Sequence, residues 1–220
     1  RELAREKTLA GVHVTVTAGP TQEALDPVRY LTNHSSGRMG YAIAREAALR
    51  GAEVTLISGP TALQPPMGVQ FRPVVSAQDM LEAVQDTLPG TDILIKAAAV
   101  ADYRPATVSE HKMKKSDGEL SIPLSRTEDI LHWVAEHRHP GLFVCGFSME
   151  TRDLIENSRA KLEKKHLDMI AANSLNTEGA GFGVPTNVVT LLTPDGTEQL
   201  PLLGKDEVAA RLLDAIEARR

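Results

Sequence analysis

Short apolar runs alternate with amphipathic segments along most of this chain, and this alternation is the feature that most constrains its fold. Five runs have the length and the β-branched or aliphatic content of strands, and segments with helical spacing lie between most of them. This order predicts a mostly parallel sheet with helices on both faces, which is a Rossmann-like three-layer α/β fold. The predicted strands are residues 12–17, 54–57, 92–99, 142–147 and 169–172.

The other elements follow from the same kinds of pattern. Helices are predicted at residues 37–50, 77–88, 127–136, 151–166 and 205–218, and a further strand at 69–75. A C-terminal β-hairpin is predicted over residues 188–202, because Pro-Asp-Gly at 194–196 is a turn sequence between two strand-like runs. Residues 19–36 and 100–118 are predicted as loops. The charged opening, residues 1–10, is interpreted as the remnant of a linker from an upstream domain, and residues 11–220 as one domain.

The charge balance and the single cysteine narrow the function classes. A net charge of −5 and a pI near 5.8 argue against general nucleic-acid binding, which relies on a basic surface. Small anionic ligands remain compatible with local positive sites. Cys145 lies in an apolar run and is predicted to be a core residue, with no disulfide partner and no zinc pattern. No apolar run has the ~20 residues of a membrane span and no signal peptide is visible, so the cytoplasm is the expected compartment.

Unusual sequences follow three of the predicted strands, and such loops converge beyond the carboxyl ends of a parallel sheet. The first runs from Ala-Gly-Pro-Thr at 18–21 to the segment 26–40, which contains Asn-His-Ser-Ser-Gly-Arg-Met-Gly. We expect Ser35 or Ser36 to cap the following helix, whose free amides and dipole favour a phosphate. Arg29 and Arg38 offer forked donors to phosphate oxygens. For His34, loop packing or a neutral phosphate contact fits as well as proton transfer.

A dinucleotide-dependent reductase is the main alternative for this first stretch. Gly37-x-x-Gly40 with Arg-Gly-Ala-x-Val-Thr at 50–55 is common in reductases. An NAD site usually has an acidic residue at the end of its second strand, whereas here the strand ends Ile-Ser-Gly-Pro at 57–60. The Tyr-x-x-x-Lys pair of short-chain reductases is also missing. A non-catalytic nucleotide-binding module stays open as a third interpretation.

The second stretch follows the most apolar strand. Small residues at 97–99 let a flat base or a ribose approach the backbone, and Asp102 is placed to bond a ribose hydroxyl. Lys112 begins a Lys-Met-Lys-Lys run that can neutralise a triphosphate. The alternatives are a turn cap for Asp102 and a solvated surface run for the lysines.

The third stretch begins at Gly146 and Phe147, where a glycine permits close approach and the phenyl ring can stack on a base. Lys161 and Lys165 are four residues apart, hence on one helical face, where they repel mildly unless an anion lies between them. An ordinary exposed face is the alternative, because Glu156 shares that helix.

Together these stretches resemble bacterial phosphopantothenate–cysteine ligase, the synthetase domain of the bifunctional coenzyme A biosynthesis protein, over about residues 11–218. The shared motifs are Gly-Pro-Thr, Asp-Pro-Val-Arg-Tyr, Asn-His-Ser-Ser-Gly-x-Met-Gly, Ala-Ala-Val-Ala-Asp-Tyr and Lys-x-Lys-Lys. The resemblance implies a nucleotide-binding ligase domain that joins 4'-phosphopantothenate to L-cysteine with CTP. It implies an acyl-cytidylate intermediate, with pyrophosphate and CMP as products.

The resemblance also implies partners and residue roles. Mg²⁺ accompanies CTP without a dedicated protein metal site, and the protein is a homodimer, for which the hairpin 188–202 is the predicted contact. A flavin-dependent decarboxylase domain precedes this one in the full-length protein, and flavin is expected only there. The implied catalytic residues are Asn33, Arg29 and Lys112. The implied nucleotide-binding residues are Ala98, Ala99, Asp102, Lys112, Glu128, Asp129, Ile130, Leu131, Phe147, Lys161 and Lys165. The implied phosphopantothenate-binding residues are Gly19, Ser35, Ser36, Gly37 and Arg38.

One loop departs from the family pattern. The family usually has Asn-Pro-Asp-Ile where this chain has Thr-Glu-Asp-Ile at 127–130, so Glu128 adds a negative charge near the expected nucleotide. Backbone recognition of the base tolerates this change, whereas side-chain recognition does not. The preference for CTP over ATP therefore rests on the resemblance and not on spacing.

Overall fold

A computed structural model describes residues 6–115, 120–150, 152–174 and 186–220. The strands, in chain order, are β1 (His13–Ala18), β2 (Gln22–Ala24), β3 (Tyr30–Thr32), β4 (Glu53–Ser58), β5 (Val69–Pro73), β6 (Ile93–Lys96), β7 (Tyr103–Pro105), β8 (Leu124–Arg126), β9 (Phe143–Glu150), β10 (Met169–Ser174), β11 (Thr186–Asn187), β12 (Val189–Thr193), β13 (Gly196–Gln199) and β14 (Leu203–Gly204). The helices are α1 (Arg38–Leu49), α2 (Ala77–Thr87), α3 (Ile130–His137), α4 (Leu154–Lys164) and α5 (Lys205–Glu217).

The described residues form a central eight-stranded sheet in the order β13-β12-β10-β9-β6-β1-β4-β5. The strands from β10 to β5 are parallel, and β12 and β13 add an antiparallel hairpin at one edge. This confirms the predicted Rossmann-like fold with a C-terminal hairpin. From β1 the chain moves outward to β4 and β5, then returns to β6 on the other side of β1. Such a reversal opens a crevice at the carboxyl ends of the two strands, where ligands bind in open α/β sheets.

Each face of the sheet packs its own core. Alternate side chains of a strand point to opposite faces, so Ile93 and Ile95 of β6 join one cluster and Leu94 the other. The first cluster is closed by α1 and α5, and the second by α2, α3 and α4. Cys145 is buried in β9, and burial raises the pKa of its thiol well above the ordinary range, as expected for a core residue. In the described part of the chain no helix is long and apolar enough to cross a bilayer.

Arg50, just after α1, fixes this helix to α5. Its guanidinium bonds Glu46, Asp214 and Glu217 and donates to the carbonyl of Ala210, and only 8% of the Arg50 side chain is exposed. Burial disfavours the charge, but the hydrogen bonds to these carboxylates outweigh it and raise the pKa of Arg50 above its already high value. The two helices are therefore joined by ion pairs around one buried guanidinium.

Several predicted bounds differ from the structure. Inside the predicted loops the structure has β2, which pairs with β3, and β7, which pairs with β8 at residues 124–126, where no element was predicted. These short strands were missed because they leave no apolar pattern in the sequence. The strand predicted at 92–99 ends at Lys96. The helix predicted at 127–136 begins at Ile130, because the side chain of Asp129 caps it by accepting from the amide of His132. The predicted start of the 151–166 helix at Thr151, the end of the 100–118 loop and residues 1–5 lie outside the described residues.

Gly59, after β4, allows the chain to pass directly beside Pro20. A Cβ atom on Gly59 would lie 1.8 Å from the carbonyl oxygen of Pro20, so the backbones would have to separate. We expect Gly59→Ala to lower the free energy of unfolding by about 1–3 kcal/mol, measured by urea denaturation. Gly90→Ala is the matched control, since its Cβ would meet nothing within 4 Å. Equal urea midpoints for the two variants would contradict the prediction.

Candidate functional site

The loops after β1 and β6 meet at the predicted crevice. The amide of Ala99 donates to the carbonyl of Gly19 (2.9 Å), and the amide of Thr21 donates back to the carbonyl of Ala99 (3.2 Å). The exposed side chain of Asn33 also donates to the Ala99 carbonyl, with Nδ2 3.1 Å from the oxygen. Hydrogen bonds thus hold segments that are distant in sequence at one point beside the central strands.

A cavity of about 140 Å³ lies on the α1 and α5 side of this point. Its wall includes the start of α1, the small residues after β6 and the end of β9, with Asn173, Asn187 and Lys205 from the C-terminal part of the chain. The predicted site residues in this wall are Ser35, Ser36, Gly37, Arg38, Ala98, Ala99 and Phe147. The structure therefore brings predicted phosphopantothenate-binding residues beside predicted nucleotide-binding residues.

Three residues of this cavity wall were missed by sequence reasoning. Lys205 is buried at the start of α5, and burial together with the charge of Arg38 lowers the pKa of its ammonium group. Asn187 donates to the side-chain oxygen of Asn173 at 3.1 Å, and both residues are buried. No motif in the sequence marks these positions, because strand pairing and helix packing bring them here from the last 50 or so residues.

The predicted capping of α1 by Ser35 or Ser36 is wrong. The N-cap residue is Gly37, which has a left-handed backbone (φ 77°), and no side chain among the described residues caps this helix. This turn brings the Ser35 hydroxyl to the amide of Gly37 itself, 3.3 Å away, and not to the amides of the first helical turn. The residues of that first turn line the cavity, where the helix dipole favours an anion.

A buried carboxylate holds the lysine run in place. Asp26 accepts from the side chain of Arg29 (2.5 and 3.0 Å), from the amides of Val28 and Arg29, and from the amide of Met113 (3.0 Å). Arg29 in turn donates to the carbonyl of Met113 (2.8 Å). The exposed Lys112 therefore sits on a segment clamped to the β2–β3 turn. In this structure the Arg29 guanidinium is engaged with Asp26 and Met113, which makes it a positioning group for Lys112.

The clamp predicts a pH dependence. The Arg29 guanidinium, helped by the backbone amides, holds the pKa of Asp26 well below its ordinary range. A depressed pKa stabilises the folded state above the unfolded-state pKa of about 3.9, and this stabilisation is lost as the pH falls. We expect Asp26→Asn to unfold at lower urea concentration than the wild type at pH 6, and this difference to shrink below pH 4. Asp86→Asn, whose partner Arg72 is on the surface, should show little difference at either pH. Parallel behaviour of the two variants would refute the clamp.

The opposite side of the crevice is built from α3, α4 and the residues after β6. Asp129 forms a salt bridge with Lys165 (2.8 Å), and Lys161 donates to the carbonyl of Phe147 (2.8 Å). Burial lowers the pKa of Lys161. Both predicted lysines thus have protein partners, and they lie on the other face of the sheet from the Phe147 ring, which packs against the α1 and α5 core.

The remaining predicted nucleotide-binding residues differ in whether the side chain or only the backbone can contact a ligand. Ile130 and Leu131 are buried in the core, so at these positions only the backbone can meet a ligand. Asp102 and Glu128 are exposed, and the Asp102 carboxylate makes no hydrogen bond to any residue that the structure describes. The turn-cap alternative for Asp102 is therefore not what the structure has.

Lys96 is the residue that sequence reasoning missed on this side. It ends β6, is partly buried, and has neither a hydrogen bond nor a salt bridge to a residue in the described ranges. Burial and then the charge of Lys161 lower the pKa of Lys96 to about 8, although Asp129 and Asp102 oppose this. A lysine inside a strand predicted to be covered on both faces was the available signal, since buried charges are rare.

Carboxylate, histidine and cysteine side chains do not gather into a metal-sized group anywhere in the described ranges, when three or more such residues are required. The Asp129 carboxylate is already used by Lys165 and by the amide of His132. Among the described residues, neither a carboxylate cluster nor an unengaged Asp129 carboxylate is therefore available to hold a cation at this edge.

The reversal of strand order and the loops gathered at it define a Rossmann-like α/β protein with its candidate site at the carboxyl edge of the sheet. The sequence matches the family described as the DNA/pantothenate metabolism flavoprotein C-terminal domain over residues 9–219, and the chain belongs to this family.

Individual relatives agree with this assignment. The chain is 50% identical to the coenzyme A biosynthesis bifunctional protein CoaBC of Bacillus subtilis over 212 residues, which is 96% of this chain and 52% of the relative. It is similar to the crystal structure of the C-terminal domain of a CoaBC protein, with 45% identity, a TM-score of 0.83 and coverage of 97% and 98% of the two chains. A Cab2 H337A variant in complex with phosphopantothenate-cysteine shares the fold (TM-score 0.78, 16% identity, 94% and 87% coverage). The chain spans about half the length of the curated relatives it matches.

Proposed function

We propose that this chain is a phosphopantothenate–cysteine ligase, which joins 4'-phosphopantothenate to L-cysteine at the expense of CTP. The observation that carries the proposal is the likeness, over nearly the whole of both chains, to the C-terminal domain of a coenzyme A biosynthesis protein. The Cab2 variant, a more distant protein of the same fold, is in complex with phosphopantothenate-cysteine. The hydrogen bond from Asn33 to the Ala99 carbonyl, and the attachment of the Lys112 segment to Asp26 in the β2–β3 turn, support the proposal.

The reaction has two steps: the carboxylate is the nucleophile in the first, and its carbon is the electrophile in the second. Its oxygen first attacks the α-phosphorus of CTP, the bond to the β-phosphate oxygen breaks, and pyrophosphate leaves. The cysteine nitrogen then attacks the acyl carbon of the acyl-cytidylate, the bond to the phosphate oxygen breaks, and CMP leaves with the amine proton lost to solvent or a base. The first step brings anions together, so it needs positive charge and aligned donors.

Different residues of the site have different roles in this proposed reaction. Asn33, whose amide already donates to a carbonyl oxygen, is suited to an acyl oxygen that gains negative charge, because an amide donates without titrating. Lys112, on its clamped segment, supplies charge to the phosphates. Ser35, Ser36, Gly37 and Arg38 offer amides, hydroxyls and a guanidinium to the phosphate of phosphopantothenate in the cavity.

Magnesium accompanies the nucleotide in this proposal. The absence of a carboxylate cluster among the described residues, with Asp129 already paired, fits an ion held mainly by phosphates and water. When bound, the ion neutralises phosphate charge. The exposed Asp102 carboxylate, which follows β6, suits a ribose hydroxyl.

The assembly is a further part of the proposal. Because the curated relatives are about twice as long and are named bifunctional, we propose that a flavin-dependent decarboxylase domain precedes this one. We also propose a homodimer joined through the β12–β13 hairpin, whose outer strand β13 is an unpaired edge of the sheet among the described residues. A monomer in sedimentation at micromolar concentration would contradict the dimer.

Pyrophosphate release is the test of the ligase. The protein is incubated with phosphopantothenate, Mg²⁺ and either CTP or ATP, first without cysteine and then with it. We expect CTP-dependent release limited to about one equivalent without cysteine and multiple turnovers with it. NADPH in a thermal-shift assay serves as the control for the reductase alternative, which predicts stabilisation by NADPH. No release with either nucleotide would refute the ligase.

A further inference from the structure

Lys96 lies at the carboxyl edge of the sheet, and its ammonium group is unpaired among the described residues. It is the last residue of β6, a central strand beside the reversal of strand order, and its side chain lies on the same face as Leu94, among α3 and α4. Within the ranges that the structure describes, its ammonium group has no hydrogen-bond or salt-bridge partner. Removing an ammonium group from water without a partner costs free energy, so an unpaired lysine in a core-facing position needs a reason.

The charged groups around Lys96 do not supply that partner. Lys161 faces it from α4 and is fixed to the carbonyl of Phe147, so it adds repulsion. Asp129, at the start of α3, attracts Lys96 but is engaged with Lys165 and the amide of His132. Asp102, just beyond β6, attracts it only at longer range, since no ion pair forms. Two cations thus face an edge at which small residues leave the backbone open.

We infer that Lys96 is a further nucleotide-binding residue, whose ammonium group contacts a phosphate oxygen of the bound nucleotide. The inference rests on the proposed function, because that proposal brings a nucleotide to this edge. An anion between Lys96 and Lys161 turns their repulsion into attraction for the ligand. The polyphosphate is the only multiply charged part of the nucleotide, and it is therefore the part that the two cations recognise.

The proposed contact predicts that the protein takes up a proton when the nucleotide binds. In the unliganded protein Lys96 ionises with a pKa of about 8, and a bound phosphate favours its charged form. Binding of CTP with Mg²⁺ at pH 8 should therefore take up about half a proton, and affinity should fall about tenfold from pH 7 to pH 9. The phosphates of CTP do not obscure this, since their last ionisation lies near pH 6.

The test is calorimetric titration of the whole chain with CTP and Mg²⁺ at pH 8, in buffers of different ionisation enthalpy. Lys96→Met removes the charge at nearly constant length and should weaken binding about 10- to 100-fold and abolish most of the proton uptake. Lys96→Arg, which cannot lose its proton, should bind without uptake and with little change between pH 7 and pH 9. Lys164→Met, an exposed lysine on α4, is the matched control and should behave as the wild type.

The outcomes separate the explanations. Wild-type affinity and proton uptake in Lys96→Met would overturn the inference. An equal loss of affinity for cytidine and for CTP would assign the contact to the base or ribose and overturn the phosphate contact. If Lys96 has only a structural role, Lys96→Arg will show the same proton uptake as the wild type. Removal of an unpaired charge should raise the thermal midpoint of the unliganded protein, so a structural role also predicts no such rise in Lys96→Met. If the wild type binds CTP with proton uptake but releases no pyrophosphate, the proposed ligase fails and the Lys96 contact stands.

Discussion

Asn33→Ala is expected to lower the rate of phosphopantothenoylcysteine formation by about 100- to 1,000-fold, the usual cost of losing one donor to a charged transition state. The side chain of Asn33 is exposed and makes one hydrogen bond among the described residues, to the carbonyl of Ala99, so its loss should leave the fold unchanged. The binding of CTP should change little, because the proposed site assigns the phosphates to the lysines and the amides and not to Asn33. Steady-state rates and pyrophosphate release without cysteine, measured on the same samples, separate loss of the first step from loss of the second.

Asn157→Ala is the control for that variant. Asn157 is also exposed, and its side-chain amide also donates to a backbone carbonyl at 3.1 Å, that of Arg152, but at the start of α4. It should retain wild-type rates. If Asn33→Ala turns over within about threefold of Asn157→Ala, Asn33 does not stabilise a developing charge, and the assignment of this residue from the family motif is wrong.

Arg50→Met should destabilise the protein by about 3–5 kcal/mol, because the carboxylates of Glu46 and Glu217 lose a buried guanidinium as a counter-charge. The Glu46 side chain is 7% exposed and the Glu217 side chain 23%, so neither is freely hydrated once the guanidinium is lost. The loss should appear as a lower urea midpoint with an unchanged slope.

Arg45→Met provides a comparison on the same helix. Arg45 also reaches α5, where it pairs with Asp206, but the two side chains are 50% and 73% exposed. An exposed pair contributes at most about 1 kcal/mol. If the two variants are destabilised equally, burial does not determine the contribution of the Arg50 cluster, and α1 and α5 are held together by apolar packing alone.

The fold could be predicted because its central strands and helices have recognisable patterns of apolar residues in the sequence. A parallel strand covered on both faces is apolar over most of its length, as in residues 93–95 of β6 and 143–147 of β9, and the helices between have one apolar side. The β2–β3 and β7–β8 pairs could not be predicted in the same way. Their exposed residues gain from backbone pairing and not from burial, so their side chains show no periodic pattern.

The candidate site was predictable in its location and less so in its arrangement. The motifs predicted that the loops carrying Asn33, Ala99 and Lys112 converge on one crevice. In the structure Asn33 donates to the Ala99 carbonyl, and the Lys112 segment is bound to Asp26 in the β2–β3 turn. Strand pairing fixes the register, and the register determines which face of the sheet each side chain lies on. In the structure the Phe147 ring and Lys161 lie on opposite faces. Lys96 was not singled out, although a charge inside the strand predicted at 92–99 was a signal for it, because the strand ends at Lys96 only once pairing fixes its bounds.

The Arg50 cluster joins α1 and α5 near their C-terminal ends, whereas Gly40 and Lys205, near the other ends of the same helices, line the cavity. The exposed Arg45–Asp206 pair links the same helices a second time, one residue from Lys205. The cavity therefore lies beside the end of α5 that an exposed ion pair ties to α1, while the buried guanidinium of Arg50 holds the other end.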